Sequence, residues 1–313
     1  MKAIILEQAG WIENLVMKEI EKPTIKANEI LIQTKAISIN PADAKAKYSQ
    51  EMIDMMFTWV EQIIFGWDVS GIVSEVWTNI SEYKVWDRVF GMINFPWVWN
   101  AYAEYVAAAE SHITKIPENI TFEEAAAATL AALTALQVFE SRINKDDRVL
   151  IHAWAGWVWH YAIQIVKNMW ATVITTASQK NEEFVKSLWA DQNIDYRVEK
   201  FEDVLSDIDF VLDSIGWENT IKSLKVLKNS WGYICLPSMW YTEEEQRLAK
   251  EKSIKMENLL VQSSSVDMKK IADLMSKWLL KSHISQSFTF QDLPKAHTAL
   301  ESGRTVWKVI VTI

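Results

Sequence analysis

The sequence predicts an α/β chain of two domains, one β-rich and one built on a doubly wound parallel sheet. Three observations predict it. Residues 1–120 read as short β-runs broken by turn signals. From 121 onward, apolar strands alternate with helical segments, which is the rhythm of parallel βαβ units. At 149–167 an apolar strand runs straight into a turn and then into a helix with apolar residues at helical spacing.

The β-runs of the first part are MKAIIL, EILIQTKAISI, GIVSEV, DRVFGMI and AEYVAA, with IKANE and NPADAKAK as polar connectors. TFEEAAAATLAALTALQVFES then opens a buried helix. Thr121 is its N-cap and Glu124, three residues on, completes a capping box. Next come the strand VLIHA, a helix over 156–169, the strand TVITTAS and a helix over 181–189. DFVLDSI, a helix over 218–228, GYICLPS and ENLLVQSS follow. A last helix is expected over 267–279. The closing WKVIVTI is a strand with no helical partner, which suits a return to the first domain.

Composition narrows the function. The 313 residues suffice for two cores, and the formal net charge of −9 argues against nucleic acid or an anionic membrane as the main partner. Cys235 is the one cysteine, so no disulfide can form within the chain and no Cys-rich zinc lobe exists. The N-terminus begins as a strand and reaches Glu7 at once, with no signal-peptide pattern, so a cytoplasmic location is expected. The longest apolar stretch, 125–139, is too short to span a bilayer.

Seventeen tryptophans stand beside only eight glycines, where a chain of this length carries about 22 glycines. Most of the tryptophans sit where the backbone calls for glycine. In VLIHAWAGWVWHYAIQIVK the three slots of a G-x-G-x-x-G turn hold Trp154, Gly156 and Trp159, and Trp157 fills a further small-residue position. Trp77 and Trp86 fall at turn sites. Trp170 and Trp189 fall at helix ends, where glycine supplies the left-handed cap. Trp217 and Trp231 each adjoin a surviving glycine.

Two readings compete. If the tryptophans are genuine, overpacking costs roughly 1–3 kcal/mol per site and a left-handed turn roughly 1–2 kcal/mol. Summed over most of the seventeen, that exceeds the ~5–15 kcal/mol stability of a domain. In the other reading one codon has been translated with the wrong table; UGA means glycine in some bacterial lineages and tryptophan in others. The energetic argument favours the second reading. Trp59 and Trp67 fit it least well.

A strand–turn–helix with glycine-like spacing offers free backbone N–H groups to a dinucleotide's diphosphate. The candidate cofactor-binding residues of this turn are Trp154, Gly156, Trp157, Val158 and Trp159. The second strand ends TTAS, without the acidic residue that holds a ribose 2′-hydroxyl in NAD sites. Ser178 and Lys180 stand there instead and suit a 2′-phosphate, so NADP(H) is the expected cofactor. Ser178 could equally cap the following helix.

These motifs together resemble the zinc-independent medium-chain dehydrogenase/reductases, specifically the quinone oxidoreductase-like NADPH enzymes. The resemblance covers nearly the whole chain. It is carried by AISINPADAKAK, HAWAGWVWHYAIQIVK, SLWADQNIDY, DFVLDSIGW and SGRTVWKVIVTI, the last with Trp307–Lys308 where the family has Gly-Lys. It implies a GroES-like catalytic domain from 1–120 with 268–313 and a Rossmann NADP-binding domain over 121–267.

Zinc-dependent relatives carry a Cys in the segment matching Ile39–Asp43 and a His-Glu pair in that matching Trp67–Asp68. This chain has Asn40 and Pro41 in the first and no histidine in the second, so no catalytic zinc is expected. By the resemblance, Asn40 touches the substrate or the nicotinamide edge, Thr134 lies near the nicotinamide, and Tyr196 lies beside the adenosine 2′-phosphate. Their plainer roles are a turn Asn before Pro41, a helix back-bond and strand-end packing. His152 and His160 flank the cofactor turn and are not expected in catalysis; His112, His283 and His297 read as surface or structural residues.

The implied reaction is hydride transfer from NADPH to a small-molecule quinone or α,β-unsaturated carbonyl, and the resemblance implies a homodimer. The alternative is a non-catalytic NADPH-binding protein of the same fold, or a pseudo-enzyme if the tryptophans are genuine.

Overall fold

The structure is a computed structural model that describes residues 1–57, 60–98, 100–152, 157–237, 240–303, 305 and 307–313. The chain divides into two compact units, Met1–Leu133 with Val261–Ile313 and Thr134–Leu260. The first is β-rich and the second is an α/β unit, as the sequence pattern predicts.

The main sheet of the first unit runs in the order Ile284–Thr289, Lys308–Thr312, Glu29–Ile39, Asp68–Val76, Arg88–Met92, Ile113–Lys115, with Tyr105–Ala109 also pairing Glu29–Ile39. The C-terminal strand returns as expected: Val309–Thr312 pairs antiparallel with Ala36–Ile39 and parallel with Ile284–Thr289. A second sheet joins Leu15–Glu19, Lys2–Leu6 and Ile63–Ile64.

The 121–133 segment, assigned to the second domain for its helical character, packs on the first unit's sheet. Ala126 and Ala127 of helix Phe122–Ala127 join Ala36 and Ile310 in one buried cluster, because methyl side chains let a helix lie close on a sheet. The predicted capping box is present, with Glu124 N–H donating to Thr121 Oγ1 at 3.1 Å and Thr121 N–H to Glu124 Oε2 at 2.9 Å.

The second unit holds a six-stranded sheet in which every pairing is parallel. Its order is Gln192–Ile194, Thr172–Thr176, Arg148–His152, Ile208–Asp213, Leu227–Cys235, Lys255–Glu257. Numbered within the unit this is 3-2-1-4-5-6, the doubly wound order whose switch point lies between Arg148–His152 and Ile208–Asp213. Strand 148–152 is buried from Val149 onward, as a strand covered on both faces must be.

Several local readings shift. NPADAKAK is not a connector but the helix Pro41–Ala46, started by Pro at its first turn, with Asp43, Ala44 and Ala46 buried. The strand expected at ENLLVQSS lies a few residues earlier, at Lys255–Glu257. Helices Glu243–Glu251 and Leu293–Glu301 are further elements of the fold; the first is polar enough to read as loop, and the second buries Leu293, Ala296, His297 and Leu300 at helical spacing.

Among the described residues, thirteen non-glycine residues have positive φ. Five are Asn or Asp, which tolerate that region, and three are Ser. The other five are Trp86 (78°), Trp170 (63°), Trp189 (73°), Trp217 (54°) and Trp278 (60°). At roughly 1–2 kcal/mol per left-handed residue, these five alone oppose folding by an amount comparable with the ~5–15 kcal/mol stability of a domain.

Gly71 shows a true steric demand for glycine in the first unit. A Cβ there would lie 2.2 Å from Gln33 O on the paired strand. Gly71→Ala should therefore destabilise the chain by roughly 1–3 kcal/mol or more. Urea unfolding reads this directly, and an unchanged midpoint would refute the close approach.

Candidate active site

In the first unit Asn40 is the centre of a buried polar cluster. It is 1% exposed and occupies the N-cap position of Pro41–Ala46. Its Nδ2 donates to Asp68 Oδ2 at 2.8 Å, and its Oδ1 accepts from Lys308 Nζ at 2.6 Å. Its backbone N–H donates to Asp43 Oδ2 at 2.8 Å. Asp68 Oδ1 accepts from Leu130 N–H at 3.0 Å, and Lys308 Nζ lies 3.5 Å from Asp68 Oδ2. Asp43, Asp68 and Lys308 are all fully buried.

Sequence reasoning quoted Asp68 and Lys308 without seeing this role. The available signal was a charge at the first position of each of two strands, Asp68 of 68–76 and Lys308 of the otherwise uncharged 308–312.

Two buried carboxylates and one ammonium leave one negative charge too many. Burial, reinforced by Asp68 and opposed by the Asn40 N–H and by Lys308, pushes the Asp43 carboxyl up to about 8. A neutral Asp43 leaves Asp68 and Lys308 as a balanced pair, the arrangement a low-dielectric interior tolerates. Burial pulls Lys308 below the ordinary lysine range, and both aspartates oppose that shift.

In the second unit the cofactor turn is only partly on view: Trp154 and Gly156 lie outside the described residues. Val158 precedes helix Trp159–Asn168. Trp157 is 4% exposed and Trp159 is 1% exposed. The Trp159 ring meets Phe184 of helix Gln179–Ser187 edge-on at 5.6 Å, and its indole N–H is buried without a partner. An unsatisfied buried donor costs about 1–3 kcal/mol. Two indoles thus fill the interior where a glycine turn would leave room for a diphosphate.

The other end of the expected site is coherent. Ala177 N–H donates to Ile194 O at 3.1 Å, and Gln179 N–H to Asp195 Oδ2 at 3.0 Å. These bonds bring Ser178, Lys180 and Tyr196 together at the C-terminal ends of strands Thr172–Thr176 and Gln192–Ile194. Ser178 stands at the N-cap position of Gln179–Ser187, yet its side chain makes no capping bond. Lys180 and Tyr196 are exposed, and Arg197 adds a second cation beside the Tyr196 ring. Sequence reasoning missed Arg197, although it directly follows Tyr196.

Thr134 is buried on helix Leu130–Phe139. His152 is structural: Nδ1 pairs with Thr176 Oγ1 at 2.8 Å and Nε2 with Ser223 Oγ at 3.0 Å, and burial lowers its pKa. His297 is fully buried rather than superficial, with Tyr102 Oη 3.1 Å from its Nε2. Among the described residues no group of three or more His, Cys, Asp or Glu is placed to hold a metal ion.

The cluster gives a pH-dependent stability with a definite sign. Asp43 keeps its proton in the folded chain up to about 8 and loses it near 4 when unfolded. Its contribution to stability therefore falls as pH rises from about 4 to about 8. Asp43→Asn, which keeps an acceptor for the Asn40 N–H, should flatten that slope. Urea midpoints of both chains between pH 5 and pH 8 check this; parallel curves would refute a neutral Asp43.

Comparison with known proteins agrees with these two units. The alcohol dehydrogenase GroES-like domain profile matches residues 26–118, and the zinc-binding dehydrogenase profile matches residues 188–311. The chain is 30% identical to 2-methylene-furan-3-one reductase of Solanum lycopersicum, over 99% of this chain and 79% of that protein. It is 31% identical to the chloroplastic NADPH-dependent alkenal/one oxidoreductase of Arabidopsis thaliana, over 75% of this chain and 62% of that protein. The solved quinone oxidoreductase from Coxiella burnetii is 32% identical and superposes with a TM-score of 0.90, covering 100% of this chain and 99% of that one. With both units matched and identity of this order along nearly its whole length, the chain belongs to the medium-chain dehydrogenase/reductase family and is a quinone oxidoreductase-like oxidoreductase.

Proposed function

We propose that the chain reduces a quinone or an α,β-unsaturated carbonyl with NADPH, without a catalytic zinc. The observation that carries the cofactor choice is the grouping of Ser178, Lys180 and Arg197 at the ends of strands Thr172–Thr176 and Gln192–Ile194, where an NAD site would use an acidic side chain. A hydroxyl and two cations bind a 2′-phosphate and would repel nothing in it. The NADPH-dependent relative supports the same choice.

NADPH, when bound, supplies a hydride. The chain's own residues do the positioning. Ser178, Lys180, Tyr196 and Arg197 would hold the adenosine end, and the turn at 154–159 would receive the diphosphate once glycine stands at 154, 157 and 159. Thr134 would lie near the nicotinamide.

Asn40 has one amide donor and one carbonyl lone pair committed to Asp68 and Lys308. Its remaining valences are few, and at 1% exposure it would act chiefly by fixing the entry to helix Pro41–Ala46. Conjugated acceptors spread the incoming negative charge over several atoms, so they need less polarisation than a simple carbonyl. That suits a chain with Asn40–Pro41 and Trp67–Asp68 where zinc-dependent relatives carry their ligands.

Oxidation of NADPH by the protein isolated from its own cells, in the presence of 1,4-benzoquinone and of a simple enone, tests this reading. Turnover with either supports it; binding of NADPH with no turnover on any quinone or enone would make the chain a non-catalytic binder. Lys180→Ala and Arg197→Ala should each raise KM for NADPH about tenfold or more, the worth of a charge-assisted hydrogen bond, and leave KM for NADH nearly unchanged. Equal effects on both cofactors would refute the 2′-phosphate assignment.

A further inference from the structure

We infer that the polypeptide made in its own cells carries glycine at Trp86, Trp170, Trp189, Trp217 and Trp278, and likewise in the dinucleotide turn at Trp154, Trp157 and Trp159. The backbone at the first five positions supplies the argument. Helix Trp159–Asn168 ends on Met169, and the next residue, Trp170, is left-handed. Trp170 N–H donates to Lys167 O at 3.0 Å, and Ala171 N–H to Val166 O at 3.5 Å. That pair of bonds defines the Schellman motif, whose left-handed position is glycine's.

The motif recurs twice with tryptophan. After helix Gln179–Ser187, Trp189 N–H donates to Lys186 O at 2.9 Å and Ala190 N–H to Val185 O at 3.1 Å. After helix Ser265–Ser276, Trp278 N–H donates to Met275 O at 3.0 Å and Leu279 N–H to Leu274 O at 2.9 Å. Helix Leu293–Glu301 is the internal control. At the same position it has Gly303, with φ +66°.

Trp86 is the third residue of the turn closed by Asp87 N–H on Lys84 O at 3.1 Å, and its φ of 78° is the type II value reserved for Gly or Asn. Trp217, at φ 54° and ψ −130°, lies outside every region open to L-residues.

Burial does not compensate. Trp86, Trp170 and Trp217 are more than three-quarters exposed. Trp67 behaves differently: it is 3% exposed, its indole N–H donates to Trp97 O at 3.2 Å, and its ring meets Phe95 at 4.8 Å. A genuine tryptophan looks like Trp67. The common cause that fits the others is a codon read as glycine in the cell and written as tryptophan here.

Tandem mass spectrometry of tryptic peptides from the protein isolated from its own cells decides the matter. Peptides 168–180, 187–197 and 85–88 each contain one of the five sites. Glycine masses support the inference, and tryptophan masses overturn it.

A second measurement uses recombinant chains. Trp170→Gly should raise the melting temperature by roughly 2–4 °C, and Trp170→Ala should not. A lower melting temperature for the glycine variant would mean the indole is a native contact.

The turn forms a third arm, which rests on the NADPH reading. Glycine at 154, 157 and 159 should give NADPH binding, read by nicotinamide fluorescence, that the written chain lacks. Glycine masses without NADPH binding would sink the cofactor reading and leave the decoding intact.

Discussion

A parallel sheet makes one demand that the rest of this molecule answers. Every helix must turn back sharply to feed the next strand in the same direction, and the cheapest reversal is a single left-handed residue at the helix end. Here the reversals after Trp159–Asn168 and Gln179–Ser187 fall on Trp170 and Trp189. The hydrogen bonds of those caps are well formed, so the geometry is dictated by the strands on either side. Residue identity is the part that disagrees. At the start of helix Trp159–Asn168 the Trp159 indole is buried against Phe184 with its N–H unpartnered.

The first unit answers a different demand, that of holding charge without water. Asn40, Asp43, Asp68 and Lys308 come from a helix entry and the starts of two strands. One amide links a carboxylate to an ammonium and thereby ties the segments together. Such a cluster contributes little net stability over an apolar replacement, but breaking one partner leaves a stranded charge. It defines a single geometry for Pro41–Ala46, and so for whatever the helix entry faces.

Much of this was legible in the sequence. Continuous apolar runs such as VLIHA, the Thr121–Glu124 box and the 149–167 junction each have one physical reading, and the parallel sheet and its capped helix follow from them. Ser178, Lys180 and Tyr196 lie close in sequence to the ends of strands Thr172–Thr176 and Gln192–Ile194, which pair in parallel. What could not be read was pairing at long range. Nothing near Asn40 announces Lys308, 268 residues away, because only the sheet order joins them. The polar helix Glu243–Glu251 was missed because periodicity fades when few positions are apolar.

The placement of Lys308–Thr312 between Glu29–Ile39 and Ile284–Thr289 has a bearing on how the chain is born. Synthesis runs from the N-terminus, so an interior plank of the first unit's sheet leaves the ribosome after the strands on either side of it. Until it arrives, residues 29–39 present an open flank, and Asn40 and Asp68 wait without their cation. The α/β unit, wholly contained in 134–260, can close while the other is still unfinished. The order of completion is thus inverted: the half begun first is the half sealed last.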